Sequence, residues 1–182
     1  MNRKIFAVLI VMALAIAAFA GMNIPVVGGQ EMYPTKNIIE NAVNSADHTT
    51  LVAAVKAAGL VETLEGAGPF TVFALTNEAF NKLPAGTVET LLKPENKATL
   101  SKVLTYHVVA GRFSAQDLMK MIKEGNGKAE LTTVEGGKLW AMQNGKTIVL
   151  KDEKGDTATV TIANVFQSNG VIHVIDTVVM PN

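Results

Sequence analysis

The chain has 182 residues, with 16 basic and 16 acidic side chains, 48% hydrophobic residues and no cysteine. A balanced charge without clustered Lys and Arg excludes the electrostatic footprint of a nucleic-acid binder, which must displace counterions from phosphates. The absence of cysteine excludes disulfides and a thiol-linked lipid anchor, so the fold must rest on its own hydrophobic core.

The N-terminus begins with the basic Asn2-Arg3-Lys4 and then carries no charge from Ile5 to Ala20. Ala18 and Ala20 occupy the small-residue positions read by a signal peptidase, so residues 1–20 are expected to form a signal peptide cleaved after Ala20. The product is then secreted, periplasmic or held at the cell surface. Extended through Met22, the run approaches the ~18–20 apolar residues that cross a bilayer, so membrane attachment is expected only if the leader is retained. Loss of Arg3 and Lys4 leaves 14 basic against 16 acidic groups. Residues 21–34, with Pro25 and Gly28-Gly29 and no regular period, read as a linker, and residues 35–182 as one domain without internal repeats.

The front of that domain has helical periodicity. Asn37 is placed to cap a helix carrying Ile38, Ile39, Ala42 and Val43; Thr49 is placed to cap a second, which aligns Leu51, Val52, Val55 and Ala58 and stops at Gly59. Thr87 opens a short helix, and Pro94 permits a new start through Thr105 with Leu100, Val103 and Leu104 on its core face. Ser114 and Asp117 form a capping-box pattern before a helix that ends at Gly125.

The back of the domain changes period. Residues 131–134, 138–142, 147–150, 157–163 and 171–179 are short β-prone runs separated by Gly136-Gly137, Asn144-Gly145, Lys154-Gly155 and Asn169-Gly170. Such separators suit tight turns because Asn and Gly tolerate positive φ. Helices followed by strands, without βαβ alternation, indicate the α+β class.

Between the helices, Phe70 to Leu75 is apolar on both alternating faces apart from Thr71, so it reads as a strand buried on both sides, with Thr71 expected to hydrogen-bond a backbone carbonyl. Thr76 then caps a helix that begins at Asn77, with Glu78 near its positive end. This block, Phe73-Ala-Leu-Thr-Asn77, resembles the Phe-Ala-Pro-Thr-Asp/Asn signature of fasciclin-type domains, with Leu75 in place of the usual proline. Leu83-Pro-Ala-Gly86, Thr105-Tyr-His-Val-Val-Ala-Gly111 and Asn169-Gly-Val-Ile-His-Val-Ile-Asp176 match further family blocks in the same order. The resemblance implies two β-sheets in a wedge or sandwich with several helices packed around them, the two end blocks pairing as neighbouring core strands. It also implies an extracellular, non-catalytic module of cell adhesion or matrix association. The partner would be a cell-surface or matrix protein or polysaccharide, and the family connects the positions of Tyr106 and His107 with adhesion.

The residues themselves assign few chemical roles. His107 and His173 are flanked by valines and isoleucines, which suits neutral imidazoles bridging one donor and one acceptor inside the domain. His48, His107 and His173 are not spaced as metal-ligand pairs. Ser168, His173 and Asp176 invite a triad reading, but no Gly-x-Ser-x-Gly elbow accompanies them and strand alternation separates His173 from Asp176. No cofactor is implied. Lys154-Gly155-Asp156 reads as turn chemistry. Met119, Met121, Trp140 and Met142 are soft side chains suited to core packing; exposed together they would form an apolar groove. The alternative function is therefore an extracellular carrier of an apolar small molecule such as a pigment or lipid.

Overall fold

The structure, a computed structural model, describes residues 23–182, so the leader expected at residues 1–20 lies outside the described residues. The first elements among the described residues form a two-stranded antiparallel hairpin, β1 (Val26–Val27) and β2 (Gln30–Glu31), turning on Gly28-Gly29. Gly28 has φ +59°, and a Cβ there would lie 2.3 Å from Ser45 Oγ. Val27 and Met32 are buried in the common core. The linker reading of residues 21–34 is thereby corrected for Val26 to Met32. Two-residue strands are too short to show a period, and what holds them is burial at a single residue on each side of the turn.

Helix α1 (Ile38–Ala42) opens with a complete capping box between Asn37 and Glu40. Helix α2 (Thr49–Ala58) ends at Gly59, whose φ of +72° supplies the left-handed cap. Thr49 is the first helical residue and not the cap, and His48 before it gives no capping hydrogen bond. Helix α3 (Val61–Glu65), not anticipated from the sequence, follows at once. Strand β3 (Phe70–Leu75) runs into α4 (Asn77–Asn81), capped as expected by Thr76, which accepts from the Ala79 N–H at 3.1 Å. Helix α5 (Thr87–Leu91) and a 3₁₀ turn at Pro94–Asn96 lead into α6 (Lys97–Tyr106). Strand β4 (Val108–Ala110) and helix α7 (Ala115–Glu124), with its Ser114–Asp117 capping box, complete the front.

Five strands follow: β5 (Lys128–Thr132), β6 (Lys138–Asn144), β7 (Thr147–Lys151), β8 (Thr157–Gln167) and β9 (Gly170–Ile175). Hydrogen bonding orders the seven strands β4-β3-β9-β8-β7-β6-β5. The two end blocks are neighbours, β3 and β9 pairing in parallel from Phe70↔Gly170 to Leu75↔Ile175, and all other pairs are antiparallel. Strand β8 pairs with β7 through its first residues and with β9 through the rest, and its register shifts on both sides of Ile162. Asn164, at φ +62°, sits in that irregular stretch, and such a bulge bends a strand. The two expected sheets are thus two halves made continuous by β8. Their outer edges approach each other at a bridge between Val109 and Thr133, which closes the wedge.

The core fills the space between these halves and the helices. Phe73, Leu75, Tyr106, Leu118, Leu139, Leu150 and Ile175 are wholly or almost wholly inside. Every residue of β9 is buried, as expected for a central strand covered on both faces. The β5–β7 half instead alternates, with Ala129, Leu131, Leu139, Ala141, Ile148 and Leu150 inward.

Candidate functional site

Tyr106 and His107, the expected contributors to a binding surface, are 0% and 2% exposed. The expectation is corrected: neither side chain can meet a partner from outside. The Tyr106 hydroxyl donates to the Lys138 carbonyl, and desolvation pushes its pKa up to about 12. His107 Nδ1 lies 2.8 Å from the Val103 carbonyl and its Nε2 accepts from the Val179 N–H at 3.2 Å. Those partners require a neutral ring protonated on Nδ1, and burial lowers its pKa to about 4. The apolar run after His107 already pointed inward, and the local signal was sounder than the motif's reputation.

His173, on the central strand β9, likewise has both ring nitrogens engaged by backbone groups. Its Nδ1 accepts from Asn164 N–H at 3.3 Å and its Nε2 lies 2.8 Å from the Phe113 carbonyl, so it ties the bend in β8 to the entry of α7. Burial again lowers its pKa. Thr71 donates to the Gly111 carbonyl at 2.8 Å, the backbone partner expected of it, and accepts from Phe113 N–H at 2.9 Å.

The remaining motif residues join elements distant in sequence. Asn169 Oδ1 accepts from Ile38 N–H at 3.1 Å, while its Nδ2 donates to the Leu64 and Gly66 carbonyls at 2.7 and 2.8 Å. Gly170 is needed for close approach, since a Cβ there would lie 2.2 Å from the Phe70 carbonyl oxygen; its φ is not in the left-handed region that the turn reading supposed. Asn77 Oδ1 accepts from Thr50 N–H at 3.0 Å and Thr49 Oγ1–H at 3.2 Å, and its Nδ2 donates to the Ala46 carbonyl at 2.9 Å. It therefore caps α2 from another helix. Asp176 accepts from Thr159 N–H at 2.8 Å and lies 3.4 Å from Lys82 Nζ. Burial opposes ionisation of its carboxyl, but those hydrogen bonds and Lys82 outweigh it and hold its pKa below the ordinary value.

No nucleophile is paired with either central histidine, because backbone groups occupy both nitrogens of each ring. The Lys154-Gly155-Asp156 turn is organised by buried Asp152, whose Oδ1 accepts from the N–H groups of Lys154 and Asp156. Among the described residues no group of three or more His, Asp or Glu is arranged to hold a metal ion, and no helix is long and apolar enough to cross a membrane.

Two surfaces remain. The first is the outer face of β5–β8. Strand register places Trp140 between Glu130 and Lys151, and Met142 between Lys128 and Val149, all pointing away from the core. Met119 and Met121 pack against the core from α7, as expected of such side chains, so they do not join Trp140 and Met142 in the alternative, a shared groove. The second surface is an apolar cleft enclosed by α1, α2, α3, α6 and β3, with a cavity of about 60 Å³. His48, 3% exposed, lines it. Its Nδ1 is 2.9 Å from Ser45 Oγ, but its Nε2 has no hydrogen-bond partner. A buried orphan of this kind costs about 1–3 kcal/mol. Nothing local to His48 announces it, since the residues that line the cleft with it come from elements distant in sequence.

The architecture is that of a single α+β module in which helices flank a bent seven-stranded sheet. Residues 46–181 match the family model of the fasciclin domain, and the chain belongs to that family. It is 50% identical over 145 residues to protein sll1483 of Synechocystis sp., covering 79% of this chain and 73% of that one. It is 35% identical to the immunogenic protein MPB70 of Mycobacterium bovis, covering 77% and 66% of the two chains. The FAS1 domain pair of the insect cell adhesion molecule fasciclin I has the same fold, with a TM-score of 0.71 at 18% identity; the match covers 80% of this chain and 51% of that one.

Proposed function

We propose that this fasciclin domain is an exported, non-catalytic binding module that attaches to a cell-surface or matrix protein or polysaccharide through the outer face of β5–β8. The observation that carries this reading is the composition of that face. A one-sided antiparallel sheet ordinarily turns polar residues to solvent, whereas here Trp140, Met142 and Val149 adjoin one another across β6 and β7. Each is only partly covered. Aromatic and Met side chains of this kind are enriched at binding surfaces. Lys128 and Lys151 flank them and form no ion pair among the described residues, while Lys138 is held by Glu130 at 2.7 Å. The two unpaired ammonium groups favour an acidic partner.

The relation to fasciclin I, a cell adhesion molecule, supports the same reading. A binding screen of the purified protein against envelope extracts, matrix proteins and neutral and acidic polysaccharides tests it. Saturable, salt-sensitive binding to one of these is expected. Turnover of a panel component without saturable binding would overturn it. A second reading, the apolar small-molecule carrier, is favoured by the cleft beside His48.

A further inference from the structure

The cleft has a direction. His48, Leu51, Val52, Val55 and Lys56 line it from α2 and its N-cap, positions that fall on one face of a helix. His48 and Lys56 are separated by roughly 12 Å at 1.5 Å rise per residue. The walls between them are apolar, with Ile39, Leu64 and Leu104 among the lining residues. Lys56, Thr63 and Val134 line the cleft and are themselves exposed, so it meets solvent beside them, whereas His48 is buried. The cavity, about 60 Å³, exceeds the ~10–15 Å³ that one water needs.

Among the described residues, the one unsatisfied buried side-chain nitrogen is His48 Nε2, on a residue that lines the cleft. Ser45 Oγ occupies Nδ1 and can either donate to it or accept from it, which leaves Nε2 as the complementary donor or acceptor. A hydroxyl group, being both donor and acceptor, satisfies Nε2 in either tautomer. A carboxylate satisfies only one and would bring an unpaired charge into an apolar site. We infer that the cleft binds a slender, single-chain aliphatic alcohol, its hydroxyl hydrogen-bonded to His48 Nε2 and its hydrocarbon body lying along α2 toward Lys56. This rests on the carrier reading and adds to it the class of ligand and the residue that anchors the head.

The test is a titration of the ¹⁵N-labelled protein with decanol, decanoate and decane-saturated buffer, followed by amide shifts and by the ¹⁵N resonances of the His48 ring. Decanol is expected to produce saturable shifts at Leu51, Val55 and Leu104 and to move the Nε2 resonance. His48→Leu, with its fold checked by thermal melting, should weaken decanol at least tenfold and leave decane unaffected. If His48→Leu does not fold, the comparison of decanol with decane on the unsubstituted protein decides. Equal binding of decane and decanol, with an unmoved Nε2 resonance, would overturn the hydroxyl anchor while leaving an apolar cleft. Shifts confined to other regions, or no saturable binding by any probe, would overturn the carrier reading itself.

Discussion

Thr76 and Asn77 are adjacent and both polar, yet their removal should have unequal consequences. Thr76 makes one local cap, the hydrogen bond from Ala79 N–H, and Thr76→Ala should cost about 1 kcal/mol. Read only as the first residue of α4, Asn77 would cost less than that. The structure reverses the order, because Asn77 joins the start of α2 and the preceding turn through Thr50, Thr49 and Ala46. At roughly 0.5–1.5 kcal/mol per hydrogen bond, three bonds total about 3 kcal/mol. The two on the exposed side can be partly replaced by water, which reduces the expected loss for Asn77→Ala to about 2 kcal/mol. In a domain of this size that loss should lower Tm by roughly 4–8 °C, against about 2–4 °C for Thr76→Ala. Urea unfolding of both variants, with an unchanged m-value, gives the comparison. A loss for Asn77→Ala no greater than that for Thr76→Ala would refute the assignment of Asn77 as the cap of α2.

Asn169→Ala should be the most damaging polar substitution of the motif blocks, at roughly 3 kcal/mol or more, since it strips partners from one buried N–H and two carbonyls; a urea midpoint close to the unsubstituted value would contradict this. Stability should also fall on acidification. Burial depresses the folded pKa of His107 from 6.5 to about 4 and lowers that of His173 in the same direction, so the unfolded chain binds more protons within that window. The contribution of His107 is complete above the unfolded value and is lost as pH falls from 6.5 toward 4, by up to roughly 1.4 kcal/mol per pH unit, and His173 adds a loss of the same sign. Urea midpoints at pH 7.5, 6 and 5 check it, and a flat profile would show that the rings are not held neutral. Ser45→Ala combined with His48→Leu should leave stability unchanged or raise it by about 1 kcal/mol, because both polar partners and the orphan nitrogen are removed together; a marked drop in Tm would show that the pair supports the fold.

The sequence was most legible where the cause of structure is local. Caps at Asn37, Thr76 and Ser114, the stop at Gly59 and the alternation of β6 depend on neighbours a few residues away, and they stand where the pattern put them. Asn77 starts α4 as expected, but its tertiary role was not legible because its partners lie 27 to 31 residues upstream. Helix α3 escaped notice because Leu60 before it offers no capping side chain, and the N-terminal hairpin because two residues cannot display a period. For the candidate sites, the alternation already placed Trp140 and Met142 on one face, but nothing local paired them with Lys128, Val149 and Lys151. Register across three strands did that. Tyr106 and His107 illustrate the opposite failure, in which a recognisable motif was taken for a surface although its purpose is to fasten α6 and the C-terminal segment to the core.

The proposal that this domain binds through the outer face of β5–β8 is tested most directly at Trp140, Lys128 and Lys151. With a partner identified from the screen immobilised on a sensor surface, Trp140→Ala and the paired Lys128→Glu/Lys151→Glu change should each weaken binding at least tenfold, with circular dichroism and Tm close to the unsubstituted protein. Undiminished binding by both folded variants would place the contact elsewhere and contradict the account.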